Sequence, residues 1–358
     1  MLIRHLFIVP LFSFFPFITS AQGVGKQSLF RVMEYNVENL FDCSHDSLKN
    51  DHDFTPEGLY QWTPWKYWRK VNAIARAIAL ASTSSSKPAS FLSKNGLCGD
   101  RSNEKCAHDS EKMMLPDIIG LCEVENDSVL FSLTRRSLLK TAGYEYVITS
   151  SPDIRGIDVA LLYQPVAFQL LNAYPIRIAP LKGMSPTRDI LYVHGNTFFG
   201  DIHVFVLHAP SRRGGEGKTR AFRRHVVARV KESVDSIRII DENARVIVMG
   251  DFNDYSYNAN LRLLSSSGMT EITSKDRISP QKGIGGTYRY LGEWESLDHI
   301  FISSSLLPLF STSKIGYHPS LVEKDEKNGG VKPFRHLRGP IYNGGFSDHL
   351  PLIADFIY

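Results

Sequence analysis

Short apolar runs, each closing on a polar or acidic cluster, recur along this chain. Residues 29–33 lead into Glu34-Tyr-Asn36-Val-Glu38-Asn39, residues 117–122 end at Glu123, and residues 246–249 run into Gly250-Asp251-Phe-Asn253-Asp254. Runs of this length, bounded by turn residues, predict buried strands. Residues 146–148, 159–163, 298–302 and 352–356 add further strands, and 192–196 with 204–207 read as a neighbouring pair. Helical spacing occurs in fewer places. From 65 to 81 it places Trp68, Val71, Ile74, Ala75, Ile78 and Ala79 on one face. A second helix is expected after Glu123 through Leu130, Leu133 and Leu138, and a third, rich in Arg and Val, over 219–239. Strands outnumber helices and often pair as neighbours, so the pattern predicts a mixed, layered α/β sandwich over a doubly wound parallel sheet.

The first residues change the picture of where the protein works. Arg4 and His5 precede an apolar stretch from 6 to 18, followed by Thr19-Ser20-Ala21, which is the layout of a secretory signal peptide cleaved after Ala21. An uncleaved anchor is the rival reading, and the apolar run is short for a bilayer span. The expectation is a leader over 1–21 and one domain over 22–358, exported to the periplasm or the medium without stable membrane insertion. A Ser-, Lys-, Asn- and Gly-rich stretch, about 82–112, reads as a surface insertion in that domain. Cys98 and Cys106 bracket part of it, and an exported protein can bridge such a pair; Cys122 sits in an apolar run and reads as core.

A chain of 358 residues with 43% hydrophobic and 22% charged content has ample core, which excludes disorder and collagen but names no activity. The formal charge of +4 is too small to prove a polyanionic partner. Its distribution says more. Arg212, Arg213, Lys218, Arg220, Arg223 and Arg224 crowd one segment, and Lys332, Arg335, His336 and Arg338 another, each beside a chemical motif; a solvated helix face and loop are the plain alternative.

Five clusters carry candidate chemistry: Asn36 with Glu38; Glu123; His208 in Leu207-His-Ala-Pro-Ser211-Arg212; Asp251 with Asn253; and Asp298 with Asp348-His349. Phosphoester hydrolysis needs a cation at the phosphate oxygens, a base for water and donors for developing charge. These residue types supply all three. Glu123, ending an apolar strand, suits a hard cation, although it can instead cap the following helix, a role open also to Glu125 or Asp127. Asp251 can activate water while Asn253 holds a phosphate oxygen; an Asx turn is the alternative. His349 is the acid–base candidate, oriented by Asp298, and His299, on the opposite strand face, reads as structural. His208 and Arg212 can contact the phosphate.

In that order, Asn36-Val-Glu38, Glu123, His208-x-Pro-Ser211, Gly250-Asp-Phe-Asn253, Ser296-Leu-Asp298-His and Ser347-Asp348-His349 resemble the endonuclease/exonuclease/phosphatase superfamily, over about residues 31–356. Asn36-Val-Glu-Asn-Leu-Phe-Asp42 and His208-Ala-Pro-Ser-Arg-Arg-Gly-Gly215 look most like its exported bacterial, extracellular nuclease-like subgroup. The resemblance implies a four-layered α/β sandwich of the deoxyribonuclease I type, two packed mixed sheets flanked by helices, and Mg²⁺-dependent chemistry, with Mn²⁺ or Ca²⁺ as alternatives. It implies metal holders at Asn36, Glu38, Glu123 and Asp348, and catalytic roles for His208, Asp251, Asn253, Asp298 and His349. Ile154-Arg155-Gly-Ile-Asp158 resembles the segment before the family's central strand, which implies cleft positions for Arg155 and Asp158, with Ser211 and Arg212 as further substrate contacts.

The sequence therefore reads as an exported, metal-dependent phosphodiesterase, with DNA or RNA as the leading substrate because Lys and Arg hold backbone phosphates. Tyr288, Tyr290 and Trp294 are candidates to stack bases. A phospholipid or inositol phosphate is the alternative substrate, and a polyanion-binding module without catalysis the less favoured class.

Overall fold

The computed structural model describes residues 28–83, 114–273 and 283–358. The leader, nearly all of the 82–112 insertion, and Cys98 with Cys106 lie outside the described residues.

Two six-stranded sheets form the frame. The first runs β13 (Phe310–Ile315), β18 (Leu352–Ile357), β1 (Leu29–Leu40), β2 (Ile118–Val124), β4 (Asp158–Tyr163) and β3 (Glu145–Ile148). The second runs β5 (Gln169–Ile176), β6 (Ile190–Thr197), β7 (Gly200–His208), β8 (Val246–Asp251), β12 (Asp298–Ser303) and β9 (Met269–Glu271). β1 and β2 are parallel, as are β7 and β8, while the remaining pairings within these sheets are antiparallel. Three hairpins sit apart: β10 (Tyr288–Tyr290) with β11 (Glu293–Glu295), β14 (Val322–Lys324) with β15 (Val331–Pro333), and β16 (Leu337–Arg338) with β17 (Ile341–Tyr342).

Period-two alternation sorts the side chains into layers. In β8, Ile247 and Met249 join the core between the sheets, while Val246 and Val248 face the helix Glu216–Ile240 and its Val226, Val227, Val230 and Val234. The helix Pro64–Ala81 covers the other sheet with Val71, Ile74, Ala75 and Ile78. Thr63 caps that helix and Pro64 opens it, where a missing N–H costs nothing. The result is the layered α/β sandwich that the sequence pattern predicts, in the four-layered form that the family resemblance implies.

Several elements differ from the sequence reading, β9, β13 and the short hairpins among them. The helix after Glu123 is a single turn, Asp127–Phe131, extended by a π-turn to Arg136. It stops before Leu138 because the Ser137 hydroxyl donates to the Leu133 carbonyl and accepts the Leu139 N–H. β5 has no counterpart in the sequence reading: it is a largely exposed edge strand with Pro175 inside it, and edge strands need no apolar run.

Candidate active site

The same alternation that fills the core brings the polar strand ends together. Asp251 continues the inward row of Ile247 and Met249, and register pairs it with His208 on β7 and Asp298 on β12. On β12, Asp298 continues the inward row of Ile300 and Ile302. His299 points the other way, between Glu271 at 2.8 Å and the Asp254 carbonyl at 2.9 Å, a structural position. β1 and β2 end at the same edge, each with a bulge: register shifts between Asn36 and Leu40 and between Cys122 and Val124. Bulges re-aim side chains. Glu38, Asn39 and Glu123 there take φ of 51°, 53° and 66°, a left-handed backbone that costs about 1 kcal/mol each.

A cleft of about 700 Å³ opens over these ends, lined by Asn36, Glu123, Arg155, His208, Ser211, Arg212, Asp251, Asn253, Asp348 and His349 among others. Asn36 donates to Asp251 Oδ2 at 3.0 Å, and Asp251 Oδ1 accepts the Asn253 N–H at 2.8 Å. The Asx turn therefore exists, and it aims the Asn253 side chain to donate to the Ala209 carbonyl at 3.1 Å. His208 Nε2 lies 3.6 Å from Asp251 Oδ2 and 3.9 Å from Glu123 Oε1. Asp298 accepts from Thr287 and pairs with His349 Nδ1 at 2.7 Å. Asp251, Asp298 and His349 offer donor atoms within 4.8 Å of one another.

Burial and neighbouring charge tune these groups. Burial, reinforced by Asp298, pushes Asp251 up to about 7, close to neutrality for a carboxyl group. Burial works against a charge on His349, but Asp298 overrides it and holds the imidazole well above its ordinary value. His208 is pulled well below its ordinary value by burial and then by Arg188, whose guanidinium donates to the His208 and Ala209 carbonyls at 3.2 and 2.8 Å. These surroundings favour a proton on His349 and disfavour one on His208.

Oxygen donors that suit a hard divalent cation line the same cleft. Glu123 Oε2 accepts the Asn39 N–H at 2.9 Å, while Oε1 stands 3.7 Å from Arg155, beyond hydrogen-bond range. The next helix is capped by Asn126. Asn36 and Asp348 complete a set of oxygen donors suited to Mg²⁺. Glu38 is placed differently: it is 3% exposed, its Oε1 accepts from Arg335 at 3.1 Å and its Oε2 accepts the His336 N–H at 2.6 Å. Arg335 also reaches Asp348 at 3.1 Å, so Glu38 and Asp348 share one guanidinium. Asp158, expected in the cleft, is buried and not part of its lining, accepting from Thr149 and Ser151. Ser211 and Arg155 stand on the cleft wall, and Arg212 is bound to Glu295 at 2.7 Å.

Several supporting residues carry no motif of their own. Thr287, Arg188 and Arg335 act through long-range contacts that composition does not reveal. Ser347, which donates to the Asn36 carbonyl at 2.7 Å, was legible as part of Ser347-Asp348-His349.

Among curated proteins nothing matches the chain. Among the solved structures that share its fold, three illustrate the likeness. An endonuclease/exonuclease/phosphatase family protein from Bacteroides thetaiotaomicron is 17% identical, with 93% of this chain and 99% of that one covered and a TM-score of 0.55. The mannosyl-6-phosphatase of the same organism is 17% identical, covering 92% and 100%, with a TM-score of 0.54. TDP2 from D. rerio, complexed with a single-strand DNA product, is 15% identical, covering 92% and 99%, with a TM-score of 0.50. At such identities these neighbours establish the fold alone. The family model does more: residues 31–98 and 101–357 match that of the endonuclease/exonuclease/phosphatase family, and with the strand-end cluster in its expected order the chain belongs to that family.

Proposed function

We propose that the protein is a divalent-metal-dependent phosphoesterase. The observation that carries the reading is the convergence of Asn36, Glu123, His208, Asp251, Asp298, Asp348 and His349 on one cleft at one edge of the sandwich. Members of this family are phosphoester hydrolases, and the donor set suits Mg²⁺, with Mn²⁺ or Ca²⁺ as alternatives.

Asn36, Glu123 and Asp348 would hold the cation, which when bound neutralises phosphate oxygens. Asn253 and the neutral His208 donate hydrogen bonds to those oxygens. Asp251 takes the proton of the attacking water as the new P–O bond forms. His349, kept cationic by Asp298, gives a proton to the departing oxygen as the old P–O bond breaks. Thr287 and Asp298 fix the ring. Glu38, through Arg335, fixes Asp348.

A nucleic-acid backbone is the second reading. Tyr288 and Tyr290 favour it, since both line the cleft and every base has a face to stack. The basic clusters give it less support, because Arg212 pairs with Glu295, Arg223 with Asp254, Arg335 with Glu38 and Asp348, and Arg338 with Glu323. Export after cleavage at Ala21 is part of the proposal. Among the described residues no helix is long and apolar enough to cross a membrane. The test is hydrolysis of p-nitrophenyl phosphate, bis(p-nitrophenyl) phosphate, plasmid DNA, RNA and sphingomyelin, with Mg²⁺ and with EDTA. Chelator-sensitive hydrolysis of any of them supports the reading, and none in either condition contradicts it.

A further inference from the structure

Next to the phosphate-handling residues, the cleft has a wall whose side chains are locked to one another. Arg212 Nη2 donates to Glu295 Oε2 at 2.7 Å, and its guanidinium lies 4.4 Å over the Tyr255 ring. The Tyr255 hydroxyl also engages Glu295. Glu295 ends the β10–β11 hairpin, whose first strand packs Tyr288 against the His349 ring at 5.0 Å, so the wall adjoins the reacting centre. Glu216 lines the same cleft, with Arg220 at 3.9 Å.

This chemistry selects a substrate. Arg212 is held by Glu295 and Arg220 stands beside Glu216, so this wall carries little net charge to draw in a second phosphate, while Arg155 and Arg213 line the cleft elsewhere. A carboxylate has about four acceptor positions, so Glu295 can take further donors beyond Arg212 and Tyr255. Hydroxyl groups are the donors that fit: uncharged, and able both to give to Glu295 and to accept from Arg212. The exposed Tyr290 ring, which lines the same cleft, complements the C–H surface of a ring.

Resting on the phosphoesterase reading, we propose that the cleft takes the monophosphate ester of a sugar, its phosphate among Asn36, Glu123, His208 and His349 and its hydroxyls on the Arg212–Glu295–Tyr255 wall. Hydrolysis then releases the free sugar and inorganic phosphate, water supplying the oxygen to phosphorus and a proton passing to the sugar oxygen.

The test compares initial rates of the wild-type chain with Mg²⁺ on p-nitrophenyl phosphate, bis(p-nitrophenyl) phosphate, hexose 6-phosphates, an inositol trisphosphate and a short oligonucleotide. A kcat/KM for at least one hexose phosphate about tenfold or more above that for p-nitrophenyl phosphate is expected, the factor that one well-made hydrogen bond supplies. Glu295→Gln should raise KM for that hexose phosphate by a factor about tenfold larger than for p-nitrophenyl phosphate. Turnover of the p-nitrophenyl esters with hexose phosphates no better, or with the trisphosphate or oligonucleotide preferred, overturns this proposal and leaves the phosphoesterase reading standing. Equal effects of Glu295→Gln on all esters overturn the wall's role in selection. No turnover of anything overturns both.

Discussion

Glu123 and Gly250 show how single residues build this site through the backbone. Glu123, next to last in β2, takes φ 66°, which rotates its carboxylate out of the strand's alternation toward the cleft. Gly250 precedes Asp251 with φ 146°, and a Cβ there would stand 1.9 Å from the Leu207 carbonyl oxygen. No side chain fits that approach, so Gly250→Ala must separate β7 from β8 where His208 and Asp251 pair. It should lower stability by about 2 kcal/mol or more in a denaturant melt; an unchanged midpoint would show that the strands tolerate the opening. Glu123→Gln and His349→Ala should each reduce turnover by about 10²-fold or more, the scale of a lost metal ligand or acid, with the melting temperature near wild type. Near-normal rates in either variant would remove that residue from its role.

At the scale of elements, buried ion pairs tie the site's turns to the helices. Arg223, fully buried in the helix Glu216–Ile240, donates to Asp254 at 2.8 Å, just past the Asp251–Asn253 turn. Arg223→Leu leaves Asp254 buried with only Asn260 as its side-chain donor at 2.6 Å. A loss of about 3–5 kcal/mol is expected by chemical denaturation. The loop holding Glu38 contains His336, wedged between the Trp62 and Tyr342 rings. Burial, with Lys70 beside it, pulls this imidazole down to about 2. Since the folded value lies below the ordinary one, the unfolded chain binds the proton first. Stability from His336 is full above about pH 6.5 and falls as the pH drops from there toward 2, by up to about 1.4 kcal/mol per pH unit. Relative to wild type, His336→Gln should lose less stability between pH 7 and pH 5, the difference between the two proteins being the contribution of His336. An identical slope in the variant would refute the assignment. The long helices and apolar strands were legible because burial writes a period into sequence. β5 and the hairpin β10–β11 were not, because a half-exposed strand leaves no such period.

For the molecule as a whole, the sandwich followed from strands pairing as neighbours, and most of the residues that line the cleft followed from polar clusters at strand ends. What sequence could not show was pairing across the chain. Arg212, Arg223 and Arg335 read as a polyanion surface in sequence, and the fold binds each to a carboxylate. Sequence order likewise could not separate Glu38, held by Arg335 and His336, from Glu123, which faces the cleft. Export is tested by expressing the full chain with its leader: the mature protein should begin at Gln22 on N-terminal sequencing, and retention of Met1 would contradict cleavage. The most direct measurement is the rate of bis(p-nitrophenyl) phosphate and p-nitrophenyl phosphate hydrolysis against Mg²⁺ concentration, for the chelator-treated wild type and Glu123→Gln. The account predicts no turnover without metal, saturable activation by Mg²⁺ in the wild type, and activation in Glu123→Gln that is weakened or shifted to higher Mg²⁺. Metal-independent turnover, or identical activation curves for the two proteins, would contradict it.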